Sequence, residues 1–197
     1  MKNLWEPFGN KGLHFLHLNI NSLLPKIDEL RDIARNAKAS LIGITESKLD
    51  SSISDSEINI TGYDVLRKDR NRFGGGVGCY VRNVISFNVL NVFPLEIENI
   101  FIDILLPKTK PFTVGLFYRP PSDNDFLDRI SCDFDKLLPD QKEIHILGDI
   151  NINTLIDGIS ILGKNKNVKS RTATPSSIGK NYNEFYNTYS LKQLIET

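Results

Sequence analysis

EIHILGDIN, residues 143–151, carries a short apolar run straight into a glycine, an aspartate and an asparagine. The run has the length and composition of a strand covered on at least one face. It ends in groups of the kind that bind metal or phosphate. Two other stretches end the same way: LHFLHLNIN (13–21) closes on Asn19 and Asn21, and SLIGITE (40–46) closes on Glu46. Desolvating such groups costs free energy unless they are paired or used, and a strand end at a sheet rim lets backbone and side chain face a ligand together. Two readings stand at this level. Either three strand ends converge on one site, or Asp, Asn and Gly simply start loops here.

Working outward, the spacing of Leu23, Ile27, Leu30, Ala34 and Ala37 predicts a first helix over about 25–38. YDVLR and VGCYVR, separated by the Gly-rich RNRFGGG, predict strand, turn, strand. ISFNVLNV, IFIDILL and FTVGLFY follow with turn residues between them, which predicts antiparallel pairing. Leu127, Ile130, Phe134 and Leu137 mark a second helix, ended with the help of Pro139. After Asn151 the pattern weakens into a polar, basic loop up to about Gly179, and YNEFYNTYSLKQLI is expected to add a helix leading into a strand. Several strands with few helices, in mixed order, predict an α+β fold in which sheet packs on sheet with helices outside.

With 197 residues, 40% of them hydrophobic, the chain suits one domain with a sizeable core, set after a short N-terminal extension at 1–12. Its 24 basic and 24 acidic side chains cancel, so overall charge points to neither a nucleic acid nor a membrane. The charge is patched, however: RKDRNR (67–72) carries four bases against one acid, and KNKNVKSR (164–171) carries four bases with none. Cys79 and Cys132 stand far apart and form no CxxC pair, which argues against a zinc site or a disulfide framework and fits a reducing, intracellular setting. No apolar run approaches the roughly 20 residues that span a bilayer, and the N-terminus lacks the apolar stretch of a signal peptide. A soluble protein without a membrane partner is expected.

Glu46 and Asp149, if they meet, suit a hard divalent cation such as Mg²⁺, which prefers oxygen ligands, keeps several waters, and can stabilise a phosphoryl oxygen. GGGVG (74–78) precedes a strand rather than linking a strand to a helix, so it reads as a hairpin turn and not as a phosphate loop. His14 and His17 take opposite faces of their strand and share no metal. His145 lies four residues before Asp149 on one strand, about 13 Å away, and reads as structural. Tyr118 opens the Pro-stiffened YRPPS, where its hydroxyl could meet phosphate if it faces the same rim.

The ordered set LNINSL, ITESKLD, RNRFGGGVGCYVR, LFYRPPS and LGDIN resembles the endonuclease domain of non-LTR retrotransposons, within the endonuclease/exonuclease/phosphatase superfamily that includes DNase I and the apurinic/apyrimidinic endonucleases. The similarity runs from about Leu13 to the C-terminus. It implies a DNase I-like α/β sandwich of two sheets flanked by helices, with a Mg²⁺-dependent phosphodiesterase site, served also by Mn²⁺, at one edge. Carried over motif by motif, Asn19 helps to hold metal or phosphate, with Asn21 beside it, and Glu46 is the principal metal ligand. Tyr118 contacts the scissile phosphate, Asp149 orients or deprotonates the attacking water, and Asn151 binds phosphate. Arg67, Arg70, Arg72, Arg119, Lys164, Lys169 and Arg171 are expected DNA-backbone contacts. The partners implied are DNA and the reverse transcriptase domain of a longer polyprotein, whose nicked target primes reverse transcription in the nucleus.

The sequence also departs from that family. Its closing Ser-Asp-His motif, and the aspartate-containing strand before it, do not occur before Thr197. The expectation is therefore a domain lacking its last strands, with apolar edges uncovered near Leu191 to Ile195. Losing the histidine would remove an acid–base contribution worth roughly 10²-fold or more. Two rival readings keep the fold: a non-catalytic nucleic-acid-binding or protein-binding module, and a phosphoesterase acting on phosphoinositides or sphingomyelin.

Overall fold

A computed structural model describes residues 12–94, 96–137 and 143–151. The predicted loop and helix after Asn151, the edge at Leu191 to Ile195, and the basic residues Lys164, Lys169 and Arg171 lie outside them. In chain order the elements are β1 (Phe15–Asn19), α1 (Ile27–Ala37), β2 (Leu41–Thr45), β3 (Tyr63–Lys68), β4 (Val77–Arg82), β5 (Ser86–Leu90), β6 (Glu98–Leu105), β7 (Phe112–Tyr118), α2 (Phe126–Leu137) and β8 (Ile144–Asp149).

The strands form two sheets of four, ordered β1-β2-β4-β3 and β5-β6-β7-β8. Each sheet is antiparallel except for one pair at its edge: β1 runs parallel to β2, and β7 runs parallel to β8. A parallel pair requires a crossover, and the two helices supply one each, α1 between β1 and β2 and α2 between β7 and β8.

Alternation along the strands sorts the core into three layers. Between the sheets lie Leu41, Val77, Cys79 and Val81 from one side, against Ile100, Ile102, Ile104, Val114 and Leu116 from the other. Ile42, Ile44 and Tyr80 point out of the first sheet onto Leu30 and Ala34 of α1. Phe101 and Phe117 point out of the second onto Phe126, Ile130 and Phe134 of α2. The result is helix, sheet, sheet, helix, as the strand-rich order predicts. α1 follows a short 3-10 turn at Leu24–Lys26, holds Asp28 and Glu29 in its first turn where the helix dipole favours them, and stops at Lys38 in the left-handed conformation. His145 packs edge-on against Phe15 and Phe112 and lies 3.0 Å from Glu143, at the end of β8 remote from Asp149.

Candidate metal and phosphate site

Both parallel pairs end at the same rim. Register sets Asn19 beside Thr45, the residue before Glu46, and sets Tyr118 beside Asp149. One amide joins the two pairs: Asn19 Nδ2 donates to Glu46 Oε1 at 3.0 Å and to Asp149 Oδ2 at 2.9 Å. The Tyr118 hydroxyl donates to the same Glu46 oxygen at 3.4 Å. Two backbone amides complete the cluster, Asn21 N on Asn19 Oδ1 at 3.2 Å and Asn151 N on Asp149 Oδ1 at 3.0 Å. Strand ends separated by more than a hundred residues of chain thus share one hydrogen-bonded group.

The backbone at this rim is strained. Seven non-glycine residues have positive φ among those described, and five of them belong to the rim: Asn21, Ser22, Glu46, Lys48 and Asn151. Such conformations cost of order 1 kcal/mol or more each and persist only where their surroundings over-determine them. Around Glu46 the determinants are backbone bonds. Ser22 N donates to Glu46 O at 2.8 Å and Leu23 N to Ser47 O at 2.9 Å, while Ser47 N and Lys48 N donate to Gly76 O and Gly75 O at 3.1 and 3.0 Å. Gly76, at φ +85°, fits because a methyl there would lie 2.4 Å from Ser47 Oγ. Around Asp149 the determinant is Arg119. Its guanidinium donates to the carbonyls of Asp123 (2.7 Å), Ile150 (2.9 Å), Asn151 (3.0 Å) and Pro121 (3.3 Å), and its own carbonyl accepts Asn151 Nδ2 at 2.8 Å.

Electrostatics follow from burial. Desolvation pushes the Tyr118 phenol up to about 12, helped by the Glu46, Glu98 and Asp149 carboxylates and opposed by Arg70, so the hydroxyl stays a donor at neutral pH. Arg70 stands 5.9 Å from the Tyr118 ring centroid and pairs with Glu98 at 2.9 Å. Glu98 also accepts the Gly76 amide, and its carboxyl is raised by burial against the lowering effect of Gly76 and Arg70. Two residues below Asn19, His17 lies 3.3 Å from Thr45 Oγ1 and is held below its ordinary value by burial, against the pull of Asp149.

The structure therefore brings together Asn19, Asn21, Glu46, Tyr118, Asp149 and Asn151, with Arg70 at the margin. Two arginines expected at a DNA backbone are covered by the fold, and a third is paired but exposed. Arg119 is 1% exposed and spent on carbonyls, so it organises the loop instead of meeting solvent. Arg67 is mostly covered, donates to Ile53 O and faces Asp55 and Asp69. Arg72 pairs with Asp50 and reaches Ser52 Oγ, with 55% of its side chain still exposed. A basic run in sequence does not reveal which acids lie across the fold. Sequence reasoning missed Glu98, Ser47 and the clamp from Gly75 and Gly76; only the run of glycines signalled that something packs closely there. Gly74, Gly75 and Gly76 close the β3–β4 turn, with Lys68 opposite Val77, where β4 begins.

Glu46 and Asp149 supply carboxylate oxygens and Tyr118 a phenol oxygen, while Asn19 turns its amide nitrogen to both acids and Asn21 Oδ1 accepts from Lys48 Nζ. Among the described residues no three His, Cys, Asp or Glu side chains gather. That set fits a hard cation that retains most of its water, as Mg²⁺ does, and not a zinc held by protein alone.

No protein-family model matches the sequence, and no curated protein does. Solved structures do match. The endonuclease domain of TRAS1, a telomere-specific non-LTR retrotransposon, superposes with a TM-score of 0.68 at 16% identity, covering 94% of this chain and 74% of that one. The fold is DNase I-like. An AP endonuclease from Archaeoglobus fulgidus gives 0.62 at 15% identity over 90% of this chain and 71% of its own, and the Xenopus laevis APE2 catalytic domain gives 0.62 at 14% over 87% and 67%. The resemblance read from five short motifs is thus matched by the shape of the whole described chain.

Proposed function

We propose that this DNase I-like chain is a Mg²⁺-dependent DNA endonuclease domain, of the kind that nicks target DNA for retrotransposition in the nucleus as part of a longer protein carrying a reverse transcriptase. The observation that carries the reading is the single Asn19 amide bridging Glu46 and Asp149, which draws an acid from each sheet into one oxygen-lined site. The likeness to the TRAS1 endonuclease domain supports DNA as the substrate.

Glu46 and Asn19, and through them Asp149, would hold the cation, which when bound supplies positive charge to a phosphoryl oxygen. The chain's own contributions follow from the geometry. Tyr118, un-ionised and buried, donates from its hydroxyl toward a phosphate oxygen. Asp149, fixed by Asn19 and the Asn151 amide, accepts a hydrogen bond from an attacking water and takes its proton. Asn151, fixed in turn by Arg119, orients Asp149.

Conversion of supercoiled plasmid to open circle, in Mg²⁺ or Mn²⁺ and in EDTA, tests this, with Mg²⁺ affinity by calorimetry as a second readout. Nicking that EDTA abolishes, and that Glu46→Ala lowers about 100-fold while weakening Mg²⁺ binding, is the expected outcome. Nicking indifferent to both EDTA and Glu46→Ala would sink the proposal. Salt-sensitive DNA binding without nicking, undiminished in Glu46→Ala, would favour the binding-module reading.

A further inference from the structure

Glu98 is a buried acid in a place where the packing of the sheets does not call for one. It opens β6 directly opposite Tyr118, with only 8% of its surface exposed. Burying a carboxylate is costly, and a buried ion pair offers little net stability over apolar residues of the same shape. Glu98 nevertheless divides its two oxygens between two partners. Oε1 accepts from Arg70 Nη1 at 2.9 Å, and Oε2 accepts from the backbone amide of Gly76.

Those partners lead to different halves of the candidate site. The Gly76 carbonyl accepts Ser47 N at 3.1 Å, next to Glu46. Arg70 is pinned at two points, Nε on Gly74 O at 2.9 Å and Nη1 on Glu98, with its guanidinium carbon 5.9 Å from the centroid of the Tyr118 ring. A cation over an aromatic face is attracted to it, so the ring is braced on that face while its hydroxyl reaches Glu46. With two of its three side-chain nitrogens spent inside the protein, Arg70 serves Tyr118 before it serves solvent.

We infer that Glu98 is a positioning residue for strand cleavage, one oxygen fixing the Tyr118 hydroxyl through Arg70 and the other fixing the Glu46 carboxylate through Gly76; the inference rests on the nuclease reading above. Glu98 itself meets neither DNA nor metal. Groups one step removed from a metal site in this way are worth about tenfold or more in affinity or rate.

The two arms can be cut separately. Glu98→Gln keeps the shape and one oxygen for the Gly76 amide but turns an NH₂ toward Arg70. Arg70→Met breaks that same arm from its more exposed end, and Glu98→Ala breaks both arms. The test measures plasmid nicking by the 197-residue chain in Mg²⁺, resolved into kcat and KM, together with Mg²⁺ affinity by calorimetry, on variants shown by circular dichroism to be folded. Glu98→Gln and Arg70→Met should each lower kcat about tenfold and leave KM, its salt slope and Mg²⁺ affinity at the parent's values. Glu98→Ala should in addition weaken Mg²⁺ binding about tenfold. Made on top of Tyr118→Phe, Glu98→Gln should cost almost nothing further, because residues that act as a unit are not additive. Should Glu98→Gln fail to fold, Arg70→Met, alone and on top of Tyr118→Phe, decides. A parent that nicks while these variants keep its kcat, or lose it equally with and without the Tyr118 hydroxyl, would overturn the positioning role and leave the nuclease reading standing. So would a raised KM and a shallower salt slope in Arg70→Met, which mark a phosphate contact. A folded parent chain that does not nick DNA would overturn both.

Discussion

Asn19 and Glu46 end the parallel pair of one sheet, and Tyr118 and Asp149 end that of the other, yet the two ends are fixed by different chemistry. The Glu46 end is held by backbone: its left-handed turn is stitched to the β3–β4 loop through Ser47–Gly76 and Lys48–Gly75 bonds, and Gly76 allows that approach. The Asp149 end is held by one side chain, Arg119, whose planar fork gathers carbonyls from both loops leaving β7 and β8. A rim built from glycine and backbone tolerates no added atom. One built around an arginine tolerates no lost donor.

The sharpest way to break that comparison is Arg119→Met. Hydrogen bonds from a charged donor contribute about 1.5–3 kcal/mol each when they matter, but the freed carbonyls lie in loops that water can reach, so a net loss of about 3 kcal/mol is expected. For a chain of this size that is a drop of roughly 10 °C in melting temperature. Arg119→Lys should recover less than half, because an ammonium cannot span the same fork. A melt within 2 °C of the parent would show that the Asp149 end has some other support.

Next in size is a pair of glycines with nearly the same backbone. Gly76 and Gly62 have φ +85° and +87°, but a methyl on Gly62 meets nothing within 4 Å. Gly62→Ala should therefore cost only the left-handed strain, about 1 kcal/mol. Gly76→Ala should cost about 1–2 kcal/mol more from overpacking against Ser47. Ser47 Oγ is buried and finds no partner among the described residues, so Ser47→Ala should be neutral by itself and should rescue part of the Gly76→Ala loss. Equal losses at the two glycines in urea denaturation would mean that the clamp is not a close contact.

How much of this was legible depended on the range of the signal. Period-2 and 3.6-residue patterns are local, so the helices, the hairpin at GGGVG and the run of strands from Ser86 to Tyr118 could be read directly. Polar strand ends at Asn19, Glu46 and Asp149 could be read too, because an apolar run ending in oxygen ligands is a local contrast. What could not be read was pairing across the fold. Arg67, Arg72 and Arg119 look alike in sequence as cations at or just beyond strand ends, and only three dimensions show Asp55, Asp50 and a cage of carbonyls waiting for them. Glu98 opens a strand that also buries Asn99 and Asp103, and nothing in its neighbourhood announces Arg70 or the Gly76 amide.

The smallest expected effect separates the two ends by pH. The four backbone bonds that hold the Glu46 turn carry no titrating group, whereas Tyr118, at the Asp149 end, is one. Burial raises its phenol from 10.0 to about 12, so the folded chain holds that proton more tightly than the unfolded one. The resulting stability is fully present below pH 10 and is lost as pH rises toward 12. Tyr63, Tyr80 and Cys79 are raised by burial as well, so alkaline unfolding has several contributors, and the Tyr118 share has to be read as a difference. Tyr118→Phe removes the titrating proton and only a 3.4 Å hydrogen bond. It should leave urea stability at pH 7 within about 0.5 kcal/mol of the parent and make the decline above pH 10 shallower. A variant whose alkaline decline runs parallel to the parent's would mean that the Tyr118 phenol ionises as freely in the fold as in the open chain, and that the Asp149 end gains no stability from its proton.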